Sequence, residues 1–129
     1  MPNDIKLEDI AVSNLALYLS TCDFTALHTV TSCHAIRLLY PYLDEACQLE
    51  AIKHYWFSIV AAYATIGAPL VKPLDAVDTH VDGSIEVIKE ALRDGLDDHD
   101  IKIAYTAICE AQHYNDDRFL LAAKFAQKY

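Results

Sequence analysis

Apolar residues recur along this chain at three- and four-residue intervals, and with only 3 Gly there are few places for hairpin turns. The pattern predicts an all-α protein. A first helix can take Asn3 or Asp4 as N-cap and run to about Ser20, with Ile5, Ile10 and Leu17 on a broad apolar face, until Cys22-Asp23 breaks it. The second begins after Asp23, whose carboxylate can accept the free amides of a first turn, and ends before Pro41, which has no amide to donate. The third, from about Asp44 to Ile66, is the longest, and Gly67 and Pro69 stop it. Trp56, Phe57, Ile59, Val60 and Tyr63 make it apolar nearly all round, which is the pattern of a central helix.

The stretch from Ala68 to Gly83 holds Pro69, Pro73 and scattered acids, and reads as a long connection with one helical turn near Asp75. It is the only candidate boundary and falls inside one domain. Ser84 can cap a fourth, more exposed helix to Asp94, stopped by Gly95. Asp97 or Asp98 starts a fifth, to about His113, and Asn115-Asp116 caps a last one carrying Phe119, Leu120, Ala123 and Phe125. The expected architecture is a compact single-domain bundle, residues 1–129, of five or six helices with a long central helix.

Composition narrows the function classes. At 129 residues, 53% of them hydrophobic, the chain can bury one real core. Its net charge of −9 repels phosphate backbones and anionic membrane surfaces, so neither nucleic acid nor a membrane is an expected partner. No apolar run reaches the roughly 18 residues a membrane span requires, and Asp4, Glu8 and Asp9 interrupt any leader-like start. Cys22, Cys33, Cys47 and Cys109 form no CxxC pair and read as reduced, small core residues of a cytoplasmic protein.

Two stretches put chemically capable side chains on otherwise apolar helices. His28 and His34 flank Thr31 in the second helix, about 120° apart on the helix wheel, so they share a broad face without being neighbours. Read structurally, they are core histidines bonded to nearby backbone or acids. In the second stretch His99 and Lys102 are three apart, and Thr106, Cys109 and His113 extend their stripe while Ile101, Ala104, Tyr105 and Ile108 fill the other side. The plain reading is a surface pair between Asp98 and Lys102, with His99 near capping acids. The chemical reading is that a lysine half buried between Ile101 and Ile103 loses its proton and serves as base, nucleophile or carbamate ligand. His54, His80 and His113 read as solvated or interfacial. A Cys-His hydrolase built from Cys33 with His28 or His34 lacks an orienting partner, since all three sit on one helix.

Taken in order, the pieces resemble a known family. His28, Thr31, His34, Ala35, Ile36, Arg37, Leu39, Pro41 and Leu43, then Trp56, then Asp97, Asp98, His99, Ile101 and Lys102, and a closing helix in Phe119 to Phe125 are similar to the C-terminal part of the questin oxidase-like family. The resemblance implies a largely helical oxygenase acting on an aromatic or polyketide-type substrate, with non-haem iron (Fe2+) held by histidines and a carboxylated lysine. It nominates His28, His34, His99 and Lys102 as metal ligands, with Lys102 the carboxylated and catalytic position. Imidazole and a carboxylate-type oxygen suit ferrous iron. Asp98 stands where the family would have Glu. Members are much longer and carry further histidines N-terminal to this region, so the resemblance leaves three outcomes open: the chain binds no iron, completes its site across a subunit interface with a second copy or a companion subunit, or is a relic or shortened piece of such a protein. The alternative is a non-catalytic all-α binding or assembly protein that keeps the fold without the chemistry.

Overall fold

A computed structural model describes residues 5–77, 85–93 and 97–126 of the chain. It contains six α-helices and, among the described residues, no strand. They fall into two compact units, Met1–Val71 and Lys72–Tyr129, which divide inside the connection the sequence marks as its candidate boundary.

In the first unit α1 is Leu7–Thr21, α2 is Phe24–Leu39 and α3 is Glu45–Thr65. The expected N-caps Asn3 and Asp4 lie outside the described residues. At the observed start Asp9 reaches back to accept the Lys6 amide at 3.0 Å. Cys22 takes a left-handed conformation (φ 50°) that closes α1, and Asp23 then accepts the Thr25 and Ala26 amides at 2.7 and 3.2 Å to open α2. So short a link folds α1 and α2 into a hairpin. Pro41 sits in a 3₁₀ turn, Tyr40–Tyr42, and Asp44 caps α3 through the Cys47 amide at 2.8 Å. Cys47 is therefore an exposed first-turn residue, not a core residue, whereas Cys33 is buried. At the far end Gly67 (φ 90°) completes a Schellman turn, with the Ala68 amide donating to the Tyr63 carbonyl and the Gly67 amide to Ala64, both at 3.0 Å.

Burial is distributed differently from the expectation. α3 is the longest helix, but it buries only a narrow seam of Ile52, Tyr55 and Ile59 and leaves Leu49, Phe57 and Val60 exposed. The most enclosed helix is α1, which buries Ile10 and the unbroken run Asn14–Leu19. The stretch Leu15–Leu19 is apolar all round, and a helix in the middle of a hairpin and a third helix can use every face.

In the second unit a 3₁₀ turn, Leu74–Ala76, falls where a helical turn near Asp75 is expected. It is followed by α4 (Ile85–Ala91), α5 (Asp98–Tyr114), a 3₁₀ turn (Asp117–Phe119) and α6 (Leu120–Ala126). The expected stops of α4 at Asp94 and Gly95, its cap Ser84, and His80 lie outside the described residues. Asn115, in a left-handed conformation, ends α5, and Asp116 turns the chain into α6. The buried line of α5 is Ile103, Ala104, Ala107 and Ala111, and α5 packs on α6, which buries Leu121, Ala122 and Ala123. Alanines on both sides let the two backbones approach closely, which rotates the core away from Ile101 and Tyr105; both are exposed, and Thr106 is buried in their place. Arg118 grips Asp116 with two nitrogens, Nε to Oδ1 at 2.9 Å and Nη2 to Oδ2 at 2.7 Å, and reaches Asp75 at 3.6 Å, fastening the 3₁₀ turn to the α5–α6 corner.

Candidate functional site

The four nominated residues divide between the units. His28 and His34 belong to the first, His99 and Lys102 to the second. On α2 the two histidines have different surroundings, as their spacing requires. His28 is exposed, lies edge-on to Phe24 with ring centroids 4.6 Å apart, and lines an open groove between α2 and α3. His34 is buried, 7% exposed, with Nδ1 at 3.4 Å from Arg37 Nη2. A guanidinium can only donate, so His34 Nδ1 is the acceptor in that contact.

On α5 the structure does bring His99 and Lys102 together, through Asp98. Lys102 Nζ donates to Asp98 Oδ2 at 2.7 Å, and His99 Nδ1 lies 3.2 Å from Asp98 Oδ1. The Lys102 side chain is 63% exposed, so it makes the i,i+4 surface pair of the plain reading and is not enclosed by Ile101 and Ile103. Asp97 completes the group. Its Oδ1 takes both the His99 amide and His99 Nδ1 at 2.8 Å, and these two bonds, the amide first, hold its carboxyl at about 2, below the usual carboxylate range.

Among the described residues, Asp97, Asp98 and His99 are the group of metal-ligating side chains whose donor atoms gather within 4.8 Å of one another. With His99 Nδ1 directed at Asp97 and Asp98, the two carboxylates hold the ring as outer carboxylates hold a metal-binding imidazole. In kind, then, this donor set fits a divalent metal that accepts nitrogen and oxygen. In the sequence Asp97 and Asp98 read as a cap, an ion-pair partner and part of the family motif, not as metal ligands. Their placement either side of the helix start, within reach of an N2 histidine, was the available signal.

A second polar cluster went unnoticed in the sequence. Tyr55 on α3 donates its hydroxyl proton to the Thr29 carbonyl on α2 at 2.8 Å, and Ser32 Oγ stands 2.9 Å from the same phenol oxygen. From α1, Asn14 Nδ2 donates to the Thr29 carbonyl at 3.0 Å and to Tyr55 Oη at 3.3 Å. Burial is the main cause that pushes the Tyr55 phenol upward in pKa. Asn14 is wholly buried, four residues after Ile10 and four before Tyr18, and that spacing within an apolar stripe could have revealed it.

The histidines outside the nominated set behave as expected where described: His54 is exposed and pairs with Glu50 at 3.7 Å, and His113 is exposed against Tyr114. No described helix is long and apolar enough to cross a membrane. No curated protein and no solved structure matches the chain. The family model for questin oxidase-like proteins matches residues 8–107, from the first turn of α1 into α5, and so takes in His28 and His34 on α2 and His99 and Lys102 on α5. The chain belongs to the questin oxidase-like family.

Proposed function

We propose that this chain is a non-haem iron oxygenase domain or subunit acting on an aromatic, polyketide-type substrate. The observation that carries the reading is the family match across residues 8–107, which spans every nominated ligand. His28, His34, His99 and Lys102 would hold the iron. Bound iron would supply the activation of oxygen. The chain's own contribution is to orient: Asp97 fixes the His99 ring through Nδ1, and Asp98 holds Lys102 within the same group. Carboxylation of Lys102 requires its ion pair with Asp98 to open, which is feasible because both side chains are exposed. The reading includes self-association or a companion subunit that covers Leu49, Phe57 and Val60 of α3, and a reducing, cytoplasmic setting consistent with four free thiols.

The exposed Lys102–Asp98 pair specifically favours a second reading, a binding or assembly protein that keeps the family's helices without its chemistry. Oxygen consumption and iron content of wild type and Lys102→Ala, each with and without bicarbonate, separate the two. The oxygenase reading expects both quantities to fall together in the variant. Wild type that takes up no iron in any condition favours the binding protein.

A further inference from the structure

The groove between α2 and α3 lies wholly within the first unit and has a volume of about 360 Å³, room for roughly a dozen waters or a ligand of similar size. Its body is apolar, formed by Ile59, Ala62 and the ring of Tyr55, while hydroxyls line the sides. The protons of five of those six hydroxyls, all but that of Thr25, have acceptors on the helices themselves. Thr29 Oγ1 donates to the Ala26 carbonyl at 2.7 Å, Ser58 Oγ to His54 at 3.0 Å, and Thr31 Oγ1 to His28 at 3.4 Å, each within its own helix. Tyr55 gives its proton to the Thr29 carbonyl, so Ser32 is the donor in the 2.9 Å contact between the two hydroxyls.

A hydroxyl whose proton is engaged still has lone pairs, and those are what remain for a ligand. The groove walls therefore accept hydrogen bonds more than they donate them. No Lys, Arg, Asp or Glu lines the groove, so a cation would find no opposite charge to offset its lost hydration, and a carboxylate, which can only accept, would face mostly lone pairs, with His28 the one imidazole among the lining residues. We infer that the α2–α3 groove is a binding site for a small uncharged molecule that carries a hydroxyl donor on an apolar frame. The groove shares His28 with the proposed iron ligands, but the inference uses only hydroxyl geometry inside one unit and stands or falls separately from iron binding.

The test is a titration of the full chain, followed by NMR amide shifts, with four probes of nearly equal size: benzyl alcohol, benzyl methyl ether, benzoate and benzylammonium. Benzyl alcohol should shift the amides of Thr31, Ser32 and Ser58 and bind about 3- to 10-fold more tightly than its methyl ether, the worth of one donated hydrogen bond. Benzoate and benzylammonium should bind more weakly than the alcohol. Ser58→Ala and Thr31→Val, at partly or fully exposed positions on folded helices, should each narrow the gap between alcohol and ether. Equal binding of alcohol and ether, preference for either ion, or no shift at these amides would overturn the inference.

Discussion

The hydroxyl of Tyr55 reaches from α3 to the backbone carbonyl of Thr29 on α2, 2.8 Å away, and Asn14 on α1 donates to the same carbonyl. One backbone oxygen thus joins the three helices of the first unit. Tyr55→Phe should keep the ring's packing and destabilise the protein by about 1–3 kcal/mol, because the buried Asn14 amide and the half-exposed Ser32 hydroxyl each lose a partner. Chemical denaturation of wild type and variant measures this. A change below a few tenths would show that the network is not structural.

The same phenol gives a pH signature. Burial raises the Tyr55 pKa in the folded protein, so the neutral form is the stable one. Its contribution is complete below the unfolded value near 10 and is lost as pH rises from there toward the folded value. Wild type should lose stability above about pH 10 more steeply than Tyr55→Phe. Parallel pH profiles for the two proteins would contradict the assignment.

Asp97 titrates in the opposite sense. Its carboxyl is held at about 2 by the His99 amide and ring, so its support of the α5 start is present above its ordinary value of 3.8 and disappears as pH falls toward 2. An NMR titration should place the Asp97 midpoint near 2, and His99→Ala should raise it; a midpoint unchanged by that substitution would mean that the ring contact does not matter.

Gly67 ends α3 at φ 90°, with open space where a Cβ would lie. The expected cost of Gly67→Ala is therefore backbone strain alone, about 1–2 kcal/mol by thermal or chemical unfolding. Neighbouring Ala68 is itself left-handed at φ 48°, so Ala68→Gly should be neutral or stabilising.

Helix ends were the most legible part of the sequence. Asp23, Asp44 and Gly67 act locally, through a carboxylate over free amides or a left-handed turn, and each sits at its expected helix end, whereas Asn115, expected to cap the last helix, closes α5 and leaves Asp116 to cap the next turn. Facing was less legible. The apolar stripe of α3 holds more hydrocarbon than one seam can bury, and nothing in periodicity alone separates Ile59, which is buried, from Val60, which is not. On α5 the core follows alanines 104, 107 and 111, whose value is the close approach of α6, and a hydropathy pattern underrates them beside Ile101 and Tyr105. At the candidate site, sequence placed His99 and Lys102 on one turn correctly in spacing. Its half-buried Lys102 depended on that misjudged face.

The exposed apolar residues of α3 lead to an association test. Light scattering at micromolar concentration should give a mass above the 14.4 kDa of one chain, and Phe57→Lys, at a position 64% exposed, should reduce it. A monomeric wild type would remove the partner from the account.

The proposed function assigns His28, His34, His99 and Lys102 to one ferrous ion. Anaerobic calorimetric titration of Fe2+ into wild type and into His28→Ala, His34→Ala and His99→Ala tests it most directly. The account predicts a stoichiometric site in wild type that each of the three substitutions weakens by at least about tenfold, roughly 1.4 kcal/mol, as loss of a metal ligand requires. Iron binding abolished by His99→Ala but untouched by His28→Ala and His34→Ala would contradict it, leaving only the exposed Asp97, Asp98 and His99 group as a metal site.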